Sequence, residues 1–427
     1  MSFPSQNSPE NRGFTLPIRE VMGASGVSAW LAEDHSAPVV SVAWGWSGGA
    51  SLDFDGREGA ASMAAALLTE GAGDLPAAAF QDALRDAAIS LNFGADRDGF
   101  EGGFRALRDA LPEAARLARL AMLAPRLDAE AVERVRARSV ASARQALEGP
   151  RGQASRAFWA AAFPGSPYGR VPGGTAESLS TLPVEAVRES TSRHLRRAGL
   201  LVAASGAITE SELANLLGTL FGELPEGPAP EAPPLPAFAL RGVQVVSVDA
   251  PQCSVLFGQS GIPVRDPDWE AAQVAMRALA GGGFSSRLME VVRVQRGLSY
   301  GIGAGFESVA GAGLVVGSVA TENARVAETI AVLHEEWNRM AADGPTEEEV
   351  TDAVAYLTGS QPLQFTDSRR TASVLLGLRR NQRPADWLAR RPERLAALTR
   401  DGVARVAARV LDASALGATV AGRPEGL

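Results

Sequence analysis

The stretch "SVAWGWSGGASLDFDGREGAA", residues 41–61, returns in looser form as "SVLFGQSGIPVRDPDWEAA", residues 254–272. Ser41, Val42, Gly45, Ser47 and Gly48 fall on Ser254, Val255, Gly258, Ser260 and Gly261 at one constant offset. After a slip of a single residue, Glu58 and Ala60 fall on Glu270 and Ala272, so an acidic helix start is shared as well. Self-similarity of this kind marks an internal duplication. Both copies continue alike, with an apolar helix, a Gly-rich break, a second helix and strand-like runs such as "LVVGSVA", residues 314–320. Each half also carries a long helical pattern, "VEAVRESTSRHLRRAG" from Val184 and "RVAETIAVLHEEWNRMAADG" from Arg325.

Between the copies, "GELPEGPAPEAPPLPAF", residues 222–238, holds six prolines and no periodic apolar face, which reads as an extended linker. The predicted organisation is a first domain over 1–221, the linker over 222–238 and a second domain over 239–427. Strands and helices occur in blocks without regular alternation, which predicts an α+β fold. It consists of two homologous domains related by duplication, each a largely antiparallel sheet packed with helices.

Bulk composition narrows the function. A chain of 427 residues that is 46% apolar buries a substantial core in each half. The net charge of −8 offers no sequence-wide attraction to nucleic acid or anionic lipid. There is no lysine, so arginine supplies every basic side chain apart from histidine. The single cysteine, Cys253, excludes an internal disulfide and a cysteine-based zinc site. No stretch reaches the length of a membrane span, and the N-terminus lacks the layout of a signal peptide. The expectation is a cytoplasmic protein as written, or a periplasmic one if an export signal has been removed.

Several chemistries lose their support on inspection. His35, His194 and His334 are scattered and read as structural. In "LHEEWNRM" around His334, the histidine and two glutamates are consecutive and point in different directions, which predicts a solvated helical face. "GWSGG", residues 45–49, fits a nucleophile elbow, but no helix follows directly and "GQSGI" repeats the pattern in the second half. A P-loop is excluded because it requires a lysine. The arginines of "RRTASVLLGLRRNQRPADWLARRPER", from Arg369, read as the solvated side of amphipathic helices.

The most informative segment is "GGGFSSRLMEVVRVQRGLSYGIGAGFES", residues 281–308. Gly281, Gly282 and Gly283 supply a turn, and either line a substrate chamber or serve the turn alone. "SSRLMEVVRVQRG" predicts a helix with a serine cap that Gly297 stops, and "LSYGIGAGFES" resumes as a strand. Arg293 sits late on the helix and Tyr300 just ahead of the strand, so a helix–turn–strand corner brings their polar tips to one opening.

This segment resembles the C-terminal-domain signature of the M16 zinc peptidases, the group of pitrilysin, insulin-degrading enzyme and mitochondrial processing peptidase. The resemblance runs through "AFPGSPYGRVPGGTAESLSTL", residues 162–182, which is similar to that family's linker within the N-domain, and through the midpoint linker. It implies an M16-like clamshell half, in which an Arg and a Tyr at this spacing face the zinc of another domain or subunit. In active members, a first-domain helix carries H-x-x-E-H, with a further Glu ligand on a later helix. The matching positions here are Ser62, Ala65 and Ala66, and no acid stands between Arg134 and Leu147.

What the resemblance implies is therefore asymmetric. The chain holds no cofactor of its own and lacks activity alone, while Arg293 and Tyr300 survive. It looks like the zinc-less subunit of a heterodimeric metallopeptidase whose partner carries H-x-x-E-H and zinc, acting on unfolded or short peptides. The alternative is a catalytically inert scaffold or peptide-binding member of the same fold.

Overall fold

The structure, a computed structural model, describes residues 16–427 apart from Gly282 and Phe284. The first half opens with strands β1 (Arg19–Met22), β2 (Ser28–Glu33) and β3 (Val39–Ser47), then helix α1 (Ala60–Leu67). A small hairpin of β4 (Gly71–Ala72) and β5 (Leu75–Pro76) leads into α2 (Ala77–Asp86), β6 (Ser90–Ala95) and β7 (Gly99–Leu107). Helices α3 (Leu111–Leu123), α4 (Ala129–Ala146), α5 (Pro150–Ala162), α6 (Ala176–Thr181) and α7 (Val184–His194) follow. The half closes with β8 (Leu201–Gly206) and α8 (Glu210–Phe221).

The second half repeats this plan with β9 (Gly242–Ser247), β10 (Gln252–Ser260), α9 (Trp269–Ala280), β11 (Ile302–Val309) and β12 (Ala312–Glu322). It continues through α10 (Val326–Asp343), α11 (Glu347–Ser360), α12 (Ser368–Arg380), α13 (Arg391–Ala396) and α14 (Arg400–Val410) to β13 (Gly417–Gly422).

The duplication is plain in the sheets. The first has the order β1-β2-β8-β3-β7-β6 and the second β9-β13-β10-β12-β11. Strand for strand these are the same sheet, β1 being an added edge. In each, one lateral pair is parallel (β2 with β8, β9 with β13) and every other pair is antiparallel. The quoted repeats form the central strands β3 and β10.

These strands are buried on both faces, which explains their near-continuous apolar runs. Along β3, Val40, Val42, Trp44 and Trp46 face the helices of their own half. The alternate residues Ser41 and Ala43 face α12, which comes from the other half. In reciprocal fashion α5 of the first half lies across β10 and β13. There Phe158, Ala162 and Phe163 join Leu240, Val309 and Leu314 in one buried cluster. Each half thus covers the outer face of its partner's sheet.

The matched glycines of the repeat serve this exchange. A Cβ at Gly258 would lie 2.9 Å from Phe158 Cζ, and one at Gly45 would lie 3.0 Å from Arg380 Nη2. Both positions are kept bare where a side chain of the exchanged helix crosses the central strand.

Three expectations are corrected. The arginines of α12 do not all face solvent. Arg379 donates to the carbonyls of Ser28 at 2.7 Å and Val202 at 2.6 Å, because the helix end abuts the first sheet. In "LHEEWNRM", Glu336 is only 2% exposed, placed beside buried Trp337 and paired with Arg339 at 3.1 Å, and burial raises its pKa. The helix after the glycine turn begins without a serine cap. Ser286 is buried and its hydroxyl has no partner, while its carbonyl accepts from Glu290 N–H. From Met289 to Gln295 this helix is wound as a π-helix.

Replacing Phe158 by Ala removes a fully buried ring and is expected to cost about 3–5 kcal/mol in urea unfolding. Because that ring covers the other half's sheet, hydrogen exchange should accelerate in β10 and β13. Loss of protection confined to the first half would contradict the exchanged packing.

Candidate functional site

The corner that carries Arg293 and Tyr300 is built by backbone hydrogen bonds. Gly297 adopts φ +59°, where a side chain would be strained, and reverses the chain after the π-helix. Leu298 N–H then bonds the Val292 carbonyl at 2.7 Å. Arg325 donates to the Gly297 and Arg296 carbonyls at 3.2 and 3.0 Å, and Ser299 Oγ donates to the Ala320 carbonyl at 2.6 Å. The chain leaves this clamp as β11.

Two side chains seven positions apart meet here. The Arg293 guanidinium carbon lies 4.2 Å from the centroid of the Tyr300 ring, a cation–π contact. Tyr300 is 83% exposed, so its ring is presented outward, with half-buried Arg293 against it. An insertion of π winding shifts the direction of the side chains that follow it, and such insertions concentrate at functional sites. The arrangement offers N–H and O–H donors on one rigid corner, suited to an incoming carbonyl oxygen. Gly281 ends α9 with its carbonyl accepting from Arg277 Nη1 at 2.6 Å, and Gly283 takes φ +74°. Gly282 lies outside the described residues.

The helix of the first half is held without any metal. Asp53 reaches from the preceding loop to its N-terminus and accepts from Gly59 N–H at 2.9 Å and Ala61 N–H at 3.0 Å. Ser62 Oγ donates to the Pro172 carbonyl at 3.1 Å, Ala65 is 2% exposed and Ala66 is half-buried. One engaged hydroxyl and two methyl groups do not fit a zinc ion, which takes nitrogen, sulfur or carboxylate ligands. Among the described residues, no group of three or more His, Cys, Asp or Glu side chains is arranged to hold a metal. Glu70 is paired instead with Arg134 of α4 at 2.7 Å.

The histidines occupy structural positions. His194 is fully buried, stacked 4.7 Å from Phe100, with Nδ1 donating to the Ser190 carbonyl at 2.9 Å; burial lowers its pKa. His35 meets Glu33 at 2.8 Å, and His334 is half-buried on α10, its pKa also lowered by burial. The sequence also hid a cavity of about 180 Å³ between α4, α5 and residues 169–175, with Arg97 on its wall. Only the spatial meeting of four separate segments creates it, and no local motif announces it.

Two outcomes follow from this geometry. Tyr300→Phe, made on an exposed ring, is expected to change unfolding stability by no more than about 0.5 kcal/mol. Asp53 is 7% exposed, and burial pushes its pKa up to about 6 against the pull of the helix N–H groups. A raised carboxyl pKa contributes stability below the ordinary value of 3.8 that is lost as pH rises through 6. Asp53→Asn lacks that titration, so its stability relative to the native chain should rise by about 1–3 kcal/mol between pH 4 and 6.5 in urea titrations. A flat difference would contradict this.

Comparison with known proteins places the chain. Residues 181–357 match the family described as Peptidase M16 inactive domain. A protein of Helicobacter pylori named non-peptidase homolog YmxG is 27% identical over 335 residues, covering 78% of this chain and 77% of that protein. An uncharacterized zinc protease of Mycobacterium tuberculosis is 34% identical over 230 residues, 51% of this chain and 50% of its own length. Among solved structures, a peptidase M16 inactive domain from Pseudomonas fluorescens superposes with a TM-score of 0.89 at 22% identity, covering 96% of this chain and 98% of that one. A chain of complex III2 from Candida albicans shares the fold with a TM-score of 0.80 at 18% identity, covering 96% and 97%. The chain therefore shares the fold of a solved M16 inactive domain over 96% of its length, residues 181–357 match the M16 inactive-domain family, and its first-half helix offers no zinc ligand.

Proposed function

We propose that this chain is the zinc-less subunit of a heterodimeric M16 peptidase, and that Arg293 and Tyr300 serve the active site of an H-x-x-E-H partner. The observation that carries the reading is the contact of the Arg293 guanidinium with the exposed Tyr300 ring on one clamped corner. The partner supplies the zinc that activates water. This chain's residues act on the substrate: the guanidinium and phenol hydrogen-bond the scissile carbonyl and stabilise the oxyanion as the tetrahedral centre forms. Gly281, Gly282 and Gly283 belong to the substrate wall in this reading, and the substrates are unfolded or short peptides. The division into domains over 1–221 and 239–427, joined by the proline-rich linker over 222–238, belongs to the same reading.

The test is peptidase activity on an unstructured peptide, for this chain, for an H-x-x-E-H partner, and for the mixture. Zinc-dependent cleavage is expected only from the mixture. Arg293→Ala or Tyr300→Phe should lower its rate on the order of 10²–10³-fold without preventing assembly. A mixture no faster than the partner alone, or silent substitutions, would instead establish an inert scaffold or peptide-binding role.

A further inference from the structure

Arg97 lies between two acids, Asp96 and Asp98, yet pairs with neither. Asp96 Oδ1 accepts from the backbone N–H of Asp98 and Gly99, at 3.0 and 2.6 Å, and Asp98 accepts from Ala310 N–H in the second half at 2.6 Å. Among the described residues, no carboxylate oxygen comes within ion-pair distance of the Arg97 guanidinium. Its Nη1 donates to the carbonyls of Tyr168 and Arg170, and its plane lies 3.9 Å over the ring of Trp159. Among the described residues, Nε and Nη2 have no hydrogen-bond partner. Burial lowers its pKa to about 10, which leaves it cationic at neutral pH. Glu307, Asp98 and Asp96 favour its charge from a distance without contacting it, so part of the guanidinium edge keeps donors that no carboxylate occupies.

The guanidinium borders the cavity of about 180 Å³. Ala143 and Ala146 of α4, Leu147 just after it, Trp159 of α5 and Pro172 give it mainly apolar walls, and among the described residues no acidic side chain lines it. Exposed Arg156 also borders the space and makes no ion pair among the described residues. The shape is fixed by close backbone approach, since a Cβ at Gly152 would run into the Ala146 carbonyl and one at Gly169 into the Phe163 carbonyl. For scale, a protein cavity of about 150 Å³ accommodates benzene.

We propose that this cavity is a binding site for a small apolar carboxylate, its acid group held by Arg97 and its single ring or branched aliphatic body packed against Trp159 and the α4 alanines. A carboxylate matches the paired N–H groups of a guanidinium edge. A more highly charged phosphate would find too few donors among apolar walls. The same chemistry is offered by a free organic acid and by the C-terminal residue of a peptide. The site depends neither on the Arg293–Tyr300 corner nor on any partner subunit.

Isothermal titration of the full chain tests it, using phenylacetate, phenylacetamide and N-acetylglycylphenylalanine. Phenylacetate is expected to bind one to one, with the amide at least tenfold weaker. Arg97→Met should weaken the acid at least tenfold. Ala143→Leu, which fills the cavity and leaves Arg97 in place, should abolish binding with the circular dichroism spectrum unchanged, and it decides the matter if Arg97→Met does not fold. A tighter acetylated dipeptide assigns the site to chain termini, and a weaker one assigns it to free acids. Absence of binding by either acid, equal binding of acid and amide, or native affinity in Ala143→Leu would overturn the proposal.

Discussion

The exchange of α5 and α12 between the two halves is the constraint on which the structure depends. A sheet with helices on one face only would expose its other face to water, and here that face is closed by a helix from the opposite half. Val40, Val42, Trp44 and Trp46 on one side of β3 are covered by helices of their own half, whereas Ala43 on the other side is covered only when the second half is present. The same holds for β10, where Val255 and Phe257 pack on their own helices and Leu256 lies against the α5 cluster. The halves are therefore not beads on a linker. Their relative position is set by apolar burial, which is the dominant favourable term in folding, and the proline-rich connection does not need to impose it.

That rigidity bears on how the two chemical ends of the molecule differ. In the first half, α1 keeps its place through Asp53 at its N-terminus, Ser62 on the Pro172 carbonyl and a buried alanine face. Each contact is supplied by the chain itself, so the helix needs no metal for its position. In the second half, the Arg293–Tyr300 corner is equally well fixed at the backbone, by Arg325, Ser299 and the bond from Leu298 to Val292. Its Tyr300 side chain nevertheless extends outward. Tyr300 contributes little buried surface where it stands. A packed, ligand-free helix and an exposed, clamped donor pair are different structural economies within one duplicated plan.

Much of this was legible in the sequence, and the reasons for the failures are specific. The repeat from Ser41 and Ser254 located the central strands because strand burial on both faces leaves a dense apolar pattern, and because Gly45 and Gly258 had to stay bare. An amphipathic pattern states that a helix has an apolar face; it does not say which sheet receives it, so the destinations of α5 and α12 were invisible. For the same reason Arg379 was read as solvated when it bonds backbone carbonyls of the first sheet. Glu336 was misjudged because angular spacing around a helix fixes direction but not the depth of the neighbouring layer, and α10 lies deep enough to bury it beside Trp337. The π winding over Met289–Gln295 breaks the 3.6-residue period on which the serine-capped helix was inferred.

The absence of lysine acquires meaning at the same scale. A guanidinium presents several donors in a rigid plane, where an ammonium presents a compact point charge. This chain repeatedly uses that plane to fasten pairs of backbone carbonyls. Arg136 bonds Leu179 and Leu182, Arg325 bonds Gly297 and Arg296, and Arg379 bonds Ser28 and Val202 across the two halves. Such clamps satisfy chain ends and strand edges that would otherwise be buried unpaired. Arg97 begins in the same way, bonding Tyr168 and Arg170, but its remaining edge borders a cavity instead of reaching another carbonyl or a carboxylate. A side chain that performs half of a structural task and leaves its other donors beside an apolar space is poorly explained by packing alone, because packing would close that space.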